Sequence, residues 1–374
     1  MAGIYIHIPF CRKACHYCNF HFSTTHHLLP SLMNAVVKEI TLQQDYLQEP
    51  IATIYFGGGT PSLLQTTYLQ AVLHQLQTTF TVLPDAEITL EANPDDITTS
   101  ALQAWKAMGI NRLSIGVQSF FEEDLQWMNR AHNAQQAHAC IALAKENGFD
   151  NLTIDLIYGG PTLSDANWQQ NVTTALALGV NHISCYALTV EEKTALHHLI
   201  DTKKYQSVDA DKQGLHFELL MQWLADAGFE HYEISNFAKP GYRSKHNSSY
   251  WQGKNYLGIG PSAHSFNGAT RQWNIANNVL YIQSIAEGKV PYELEELTPT
   301  QQLNEKIMIG LRTIEGLDVA VVKAQFGQEK AEAILASAQK AIKGGLITFT
   351  NIRLQLTNAG KLIADSIISD LFVA

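Results

Sequence analysis

Six short apolar or alternating runs recur along the first half of the chain, at Ile4 to Ile8, Ile51 to Phe56, Glu87 to Glu91, Arg112 to Gln118, Leu152 to Ile157 and His182 to Leu188. Their period and β-branched content predict strands. Helical periodicity fills the gaps, over Leu32 to Leu47, Tyr68 to Phe80, Ala101 to Met108, Gln135 to Asn147 and Trp168 to Leu178. Gly109, Gly148 and Gly179 stand where a helix C-cap is expected. Strand and helix alternating six times leave few architectures: a parallel sheet covered by helices, as an incomplete barrel or a doubly wound sheet.

Beyond these units the pattern changes twice. A helix expected from Asp211 to Ala227 leads into Gly228 to Trp273, rich in Tyr, Asn, Gly, His and Ser, too polar for core and too aromatic for a linker. From Leu297 the chain reads as helices (Thr300 to Thr313, Val319 to Phe326, Lys330 to Lys343), a hairpin from Leu346 to Leu356 turning at Asn351, and a last helix from Asn358. The expected division is residues 1–228, a connecting region 229–296, and a winged-helix-like domain 297–374. A winged helix raises DNA as a partner. However, eight Lys or Arg against seven Asp or Glu from Leu297 onward make no phosphate-tracking stripe, and the whole chain carries −10. No nucleic-acid partner is expected.

Three of the five cysteines fall in Cys11-Arg-Lys-Ala-Cys15-His-Tyr-Cys18, directly after the first strand. This is metal-ligand spacing rather than a disulfide framework. Three thiolates on one loop can cap three irons of a [4Fe-4S] cubane and leave the fourth iron open. The open iron can chelate the amino and carboxylate groups of S-adenosylmethionine, whose reductive cleavage gives a 5′-deoxyadenosyl radical. A zinc knuckle completed by His16 or His21 is the alternative that spacing alone leaves open. Cys140 and Cys185, within a helix and a strand, read as buried small apolar residues.

In parallel β/α folds the active site forms at the C-terminal ends of the strands. Each end here carries polar or backbone-exposing residues: the Cys loop, Gly57-Gly58-Gly59-Thr60-Pro61, Glu91-Ala-Asn93-Pro94, Gln118-Ser119, Asp155, and Tyr186-Ala187. Arg130, beyond Gln118, can meet a ligand carboxylate. A zinc knuckle accounts for none of this ring.

With Tyr5-Ile-His7-Ile-Pro9-Phe10-Cys11, Gly57 to Pro61 and Gly116-Val-Gln118-Ser119-Phe120 in place, the chain resembles, over essentially its whole length, the radical SAM family of oxygen-independent coproporphyrinogen III oxidases and HemW-type heme chaperones. The resemblance implies a partial (β/α)6 radical SAM barrel. It implies Cys11, Cys15 and Cys18 as cluster ligands, and Tyr5, Gly58 and Glu91 at the adenosylmethionine. Tyr17, Gly59, Thr60, Gln118, Arg130, Asp155 and Ala187 complete that nucleotide site. Two departures separate the chain from the oxidases. Phe20 stands where they carry a further Cys, and Tyr5 is reached almost at once, without their N-terminal extension. Lys245-His246-Asn247-Ser-Ser-Tyr250-Trp251 matches the H-N-x-x-Y-W pattern of the chaperones, which makes His246 a heme-iron ligand flanked by the flat faces of Tyr250 and Trp251. His264 is a second candidate, and His7 shares a strand face with Tyr5.

The favoured function is a heme chaperone that binds cluster, adenosylmethionine and heme, draws on a reductant, and delivers heme to acceptor apoproteins. Its competitor is the oxidase reaction, oxidative decarboxylation of propionates to vinyl groups; radical chemistry on a tRNA base comes third, disfavoured by the acidic balance. The first residues lack signal-peptide character and no apolar run approaches the ~18 residues of a membrane span, so a cytoplasmic protein is expected.

Overall fold

The computed structural model describes residues 1–373. Strands β1 (Ala2–Ile8), β2 (Ile51–Gly58), β3 (Val82–Ala92), β4 (Arg112–Gln118), β5 (Leu152–Tyr158) and β6 (His182–Ala187) pair in parallel and in sequential order. A doubly wound sheet would reverse that order part-way. Instead every crossover runs the same way, which puts the helices on one face and turns the other inward as an open barrel.

The two faces differ in chemistry because side chains alternate along a strand. Toward the helices point Ile4, Ile6, Ile8, Ile54, Phe56, Leu90, Leu113, Ile115, Ile154, Leu156 and Ile183, all buried in one apolar core. The register sets the inner face in layers: Thr53 beside Glu87, Glu91 beside Ser114, Asp155 beside Ser184 and Ile157 beside Tyr186. That face is polar, and it rises toward the strand ends that hold the candidate site.

The aromatic, polar stretch after Gly228 extends both edges of this sheet. Strands β7 (Glu230–Glu233) and β8 (Asn236–Ala238) add antiparallel to β6. Strand β9 (Tyr256–Ile259) adds parallel to β1, followed by β10 (His264–Phe266), β11 (Thr270–Asn274) and β12 (Tyr292–Glu296). Between them the short helix Lys245–Trp251 packs against β1 and β2. Among the described residues no helix is long and apolar enough to cross a membrane.

Thr298 opens the last domain with a capping box to Gln301, and Pro299 takes the first helical position. Helices Pro299–Leu311, Val319–Phe326 and Gln328–Lys343 pack on the sheet of β13 (Leu317–Asp318), β14 (Ile347–Thr350) and β15 (Arg353–Leu356), a winged-helix-like arrangement with its own core. Asn351 and Ile352 both take positive φ, as a two-residue hairpin turn demands. The single last helix expected from Asn358 is two, Asn358–Lys361 and Ala364–Asp370.

Glu233 joins this domain to the barrel. It is 2% exposed, accepts from the backbone N–H of Ser235 (3.0 Å) and Nδ2 of Asn236 (2.6 Å), and pairs with Arg312 (3.2 Å), which also reaches Asp365. Removing one member of a buried pair leaves the other uncompensated. Glu233→Ala is expected to cost about 3 kcal/mol in urea unfolding, the low end for a broken buried pair because Asp365 remains. Limited proteolysis should then release residues after Leu297 more readily.

Candidate cofactor site

The Cys loop is fastened from both sides. Cys11 N–H donates to the Ser23 carbonyl and Ser23 N–H to the Pro9 carbonyl, while Asn129 Nδ2 donates to the Ala14 carbonyl (2.7 Å). Beneath it, the N–H groups of Gly59 and Thr60 donate to the carbonyls of Ile8 and Phe10 (2.8 and 2.7 Å). A Cβ at Gly59 would stand 2.6 Å from the Phe10 carbonyl oxygen, so only glycine lets these two loops pack backbone to backbone.

The thiols of Cys11, Cys15 and Cys18 are free and border a cavity of about 810 Å³ at the strand ends. Burial pushes the Cys11 thiol up to about 11 against an opposing hydrogen bond with Thr60, and burial raises Cys18 as well. Neutral thiols are what such a pocket favours until a metal supplies positive charge.

One cation already serves that loop. Arg130 Nη1 donates to Cys15 Sγ (3.2 Å) and the Tyr17 hydroxyl (3.4 Å), and Nη2 to Asn93 Oδ1 and the Gly116 carbonyl (both 2.8 Å). No carboxylate among the described residues forms an ion pair with it, and its Nε is buried without a partner. Burial works against its charge, and the hydrogen bonds to Tyr17 and Cys15 work for it. A half-buried guanidinium lacking a carboxylate suits an anionic group capped by thiolates, so the residues present fit a three-cysteine cluster.

Across the cavity the charge preference is opposite. Glu91 accepts from the Tyr55 hydroxyl (2.8 Å) and Gly58 N–H (3.2 Å), yet burial, reinforced by Asp155, pushes its carboxyl up to about 7. Burial lifts Asp155 to about 6. Gln118 closes β4 at φ 66°, a left-handed conformation costly for a non-glycine residue, where pairing to β5 shifts register. Arg130, whose charge reaches Asp155, lines one cavity with Glu91 and Asp155, and together they make a site for a ligand carrying both a carboxylate and a cation.

Residues 5–174 match the Radical SAM superfamily and residues 297–363 the HemN C-terminal domain. The heme chaperone HemW of Mycobacterium tuberculosis is 35% identical over 375 residues, 99% of this chain and 94% of that protein. Heme chaperone HemW of Bacillus subtilis is 33% identical, covering 98% of each, and that of Escherichia coli 32% identical, covering 100% and 98%. This chain belongs to the HemW family. The fold is shared with the solved coproporphyrinogen III oxidase HemN of Escherichia coli, a radical SAM enzyme, at a TM-score of 0.87 and 24% identity over 100% of this chain and 90% of that one. The HemW family lies within the radical SAM superfamily, which implies a [4Fe-4S] cluster and S-adenosylmethionine as cofactors.

The zinc-knuckle alternative gives way to the family match, although each of its two histidines keeps one ring nitrogen without a hydrogen bond. His16 Nδ1 meets the Trp127 carbonyl (2.9 Å) and His21 Nε2 meets Asn278 Oδ1 (2.8 Å). Tyr17, Gly58, Gly59, Thr60, Glu91, Gln118, Arg130, Asp155 and Ala187 all line the cavity, as expected of a nucleotide site. Tyr5 does not. Its hydroxyl donates to His7 Nδ1 (3.1 Å), because His7 Nε2–H is committed to the His21 carbonyl, and its ring fills the space beside Gly57. Tyr5 therefore supports the wall from behind.

The expectation of an open heme loop is corrected. His246 lies in a helix, not a loop, and is 1% exposed, with Nδ1 bonded to the Thr53 hydroxyl and Nε2 to the Tyr250 hydroxyl (both 2.8 Å). Its ring stacks on Tyr55 at 4.9 Å, so no nitrogen is free for heme iron. Tyr250 is turned to His246 and Tyr256, and Trp251 lies under Arg312. His264 is exposed on β10 against Trp273. Sequence reasoning passed over Ser114, which lines the cavity from an inward position on β4. It also missed Arg312, Lys361 and Asp365, which enter from the last domain; no local motif marks them, and only the docking brings them in.

Three outcomes follow for this site. Arg130→Met should lower anaerobic adenosylmethionine affinity about a hundredfold, the scale of a lost charge-assisted hydrogen bond of ~3 kcal/mol, whereas Cys11→Ser should abolish the cluster's visible absorbance. The raised Glu91 carboxyl means the folded state holds a proton that the unfolded state has lost, so its contribution to stability falls as pH rises from about 4.5 to about 7. Urea unfolding across that window should show Glu91→Gln losing part of the decline seen in the unmutated chain.

Proposed function

We propose that this chain is a heme chaperone: Cys11, Cys15 and Cys18 hold a [4Fe-4S] cluster, the strand-end residues hold S-adenosylmethionine, and heme is carried to acceptor apoproteins in the cytoplasm without a nucleic-acid partner. What carries this reading is similarity along nearly the whole chain to HemW heme chaperones from separate bacterial lineages. Phe20 supports it, lying 66% exposed on the cavity rim where the resemblance to the oxidases calls for a further Cys. Likeness to the oxidase is one of fold.

When bound and reduced by an external reductant, the cluster supplies one electron toward the sulfonium of adenosylmethionine. The protein's own residues do the rest. Arg130 offsets the charge of the thiolate loop and orients Asn93 toward the cavity. Glu91, held by Tyr55 and Gly58, and Asp155 supply carboxylates that ionise when a cation enters beside them. The barrel floor, sealed by the helix of His246, keeps water from reaching the cavity from below.

Anaerobic reconstitution followed by heme titration should give near-stoichiometric heme binding, with no vinyl product from coproporphyrinogen III. Vinyl product without heme binding would establish the oxidase reading instead. Because His246 is a floor residue, His246→Ala should lower unfolding free energy by about 2 kcal/mol through two lost hydrogen bonds. The Soret spectrum and heme affinity should stay within twofold; loss of the heme spectrum in a folded variant would restore His246 as a ligand.

A further inference from the structure

Lys361 is a cation with no anion. It ends the short helix Asn358–Lys361 of the last domain and lines the same cavity as the three thiols. Its Nζ donates to His231 Nδ1 at 3.0 Å, and Asn358 Oδ1 lies at 3.5 Å. His231 Nε2–H is committed to the Ile234 carbonyl (3.0 Å), which leaves Nδ1 as a lone pair facing the ammonium. Stacked on Phe237 at 4.0 Å and pushed down to about 3 by burial, His231 is a neutral acceptor. It positions the ammonium without balancing its charge.

No carboxylate among the described residues forms an ion pair with Lys361, and burial alone pulls its ammonium down to about 8. Arg312, on the same wall, is the contrast: Glu233 and Asp365 both neutralise it. Apolar side chains share that wall with the charged and polar ones: Leu362 and Ile363 on the domain of Lys361, Phe217 and Ile234 on the barrel side, beside Arg312 and Asp365. A half-buried cation at the edge of an apolar wall recognises an apolar plane carrying a carboxylate. Arg130 and the thiol loop supply a separate carboxylate-accepting region on the barrel, so Lys361 is free for a second ligand.

We propose that Lys361, positioned by His231 at the seam between barrel and last domain, receives a propionate of heme, and that heme occupies the cavity mouth above the cluster loop. This rests on the chaperone reading. It gives heme a seat unrelated to His246, and it makes docking of the last domain a condition for heme binding.

The test compares heme with its dimethyl ester, whose propionates are uncharged, by Soret titration of cluster-reconstituted protein carrying Lys361, Lys361→Met or Lys361→Arg. Adenosylmethionine binding by equilibrium dialysis is the control. The unmutated chain should bind heme at least about tenfold more tightly than the ester. Lys361→Met should lose that preference, Lys361→Arg should keep it, and cluster content and adenosylmethionine affinity should be unchanged in both. Retained discrimination in Lys361→Met overturns the assignment. So does loss of adenosylmethionine affinity with heme affinity intact, which would make the carboxylate that of the nucleotide. Absence of heme binding by the unmutated chain would instead defeat the chaperone reading itself.

Discussion

The site depends on one half-buried guanidinium. Arg130 reaches the thiol of Cys15 on the first loop, the hydroxyl of Tyr17, the amide of Asn93 after β3 and the carbonyl of Gly116 within β4. A guanidinium partly withdrawn from water without a carboxylate is costly, and here what stands in its place is thiol, phenol, amide and carbonyl. The cost is offset once the thiols carry the negative charge that metal binding confers. Strand ends, loop and charge are thus built around an anionic group at the three cysteines.

The barrel interior extends that logic downward. Glu91 accepts from Tyr55, whose ring stacks on His246, and His246 is clamped between Thr53 and Tyr250. The backbone N–H groups of Lys245 and His246 in turn donate to Glu87 (3.2 and 3.0 Å). A polar strand face stays buried at low cost where its groups find partners; the helix Lys245–Trp251 supplies them to Thr53 and Glu87, while Thr89 Oγ1 has none. Gly3 marks how close the helix comes, since a Cβ there would meet Thr53 Oγ1 at 2.8 Å and His246 Nδ1 at 3.3 Å. The motif that resembles a heme signature is, in this fold, the plug of the barrel.

Much of this was legible in the sequence, and what was not has physical reasons. The parallel strands and most helices follow from local periodicity, which burial on one face enforces; Arg112–Gln118 and Val319–Phe326 match to the residue. Nine of the ten residues expected at the nucleotide line the cavity because strand ends are fixed by the topology. Alternation gives Tyr5 a face but not a depth, and its hydroxyl turns to His7. The stretch around His246 is a buried helix rather than an open loop because Thr53, Glu87 and Tyr250 satisfy its polar groups in the interior. Lys361 carried no signal at all, since its meaning comes from a contact 130 residues away, with His231.

The account joins a radical SAM cofactor site to heme handling on one cavity, framed by two domains that Glu233 and Arg312 hold together. The most direct measurement is heme transfer: heme-loaded, cluster-reconstituted protein mixed anaerobically with a heme-free acceptor apoprotein, with the acceptor separated and its heme counted. The account predicts heme on the acceptor and no coproporphyrinogen turnover. Heme retained on this chain, together with release of 5′-deoxyadenosine that depends on coproporphyrinogen, would contradict it.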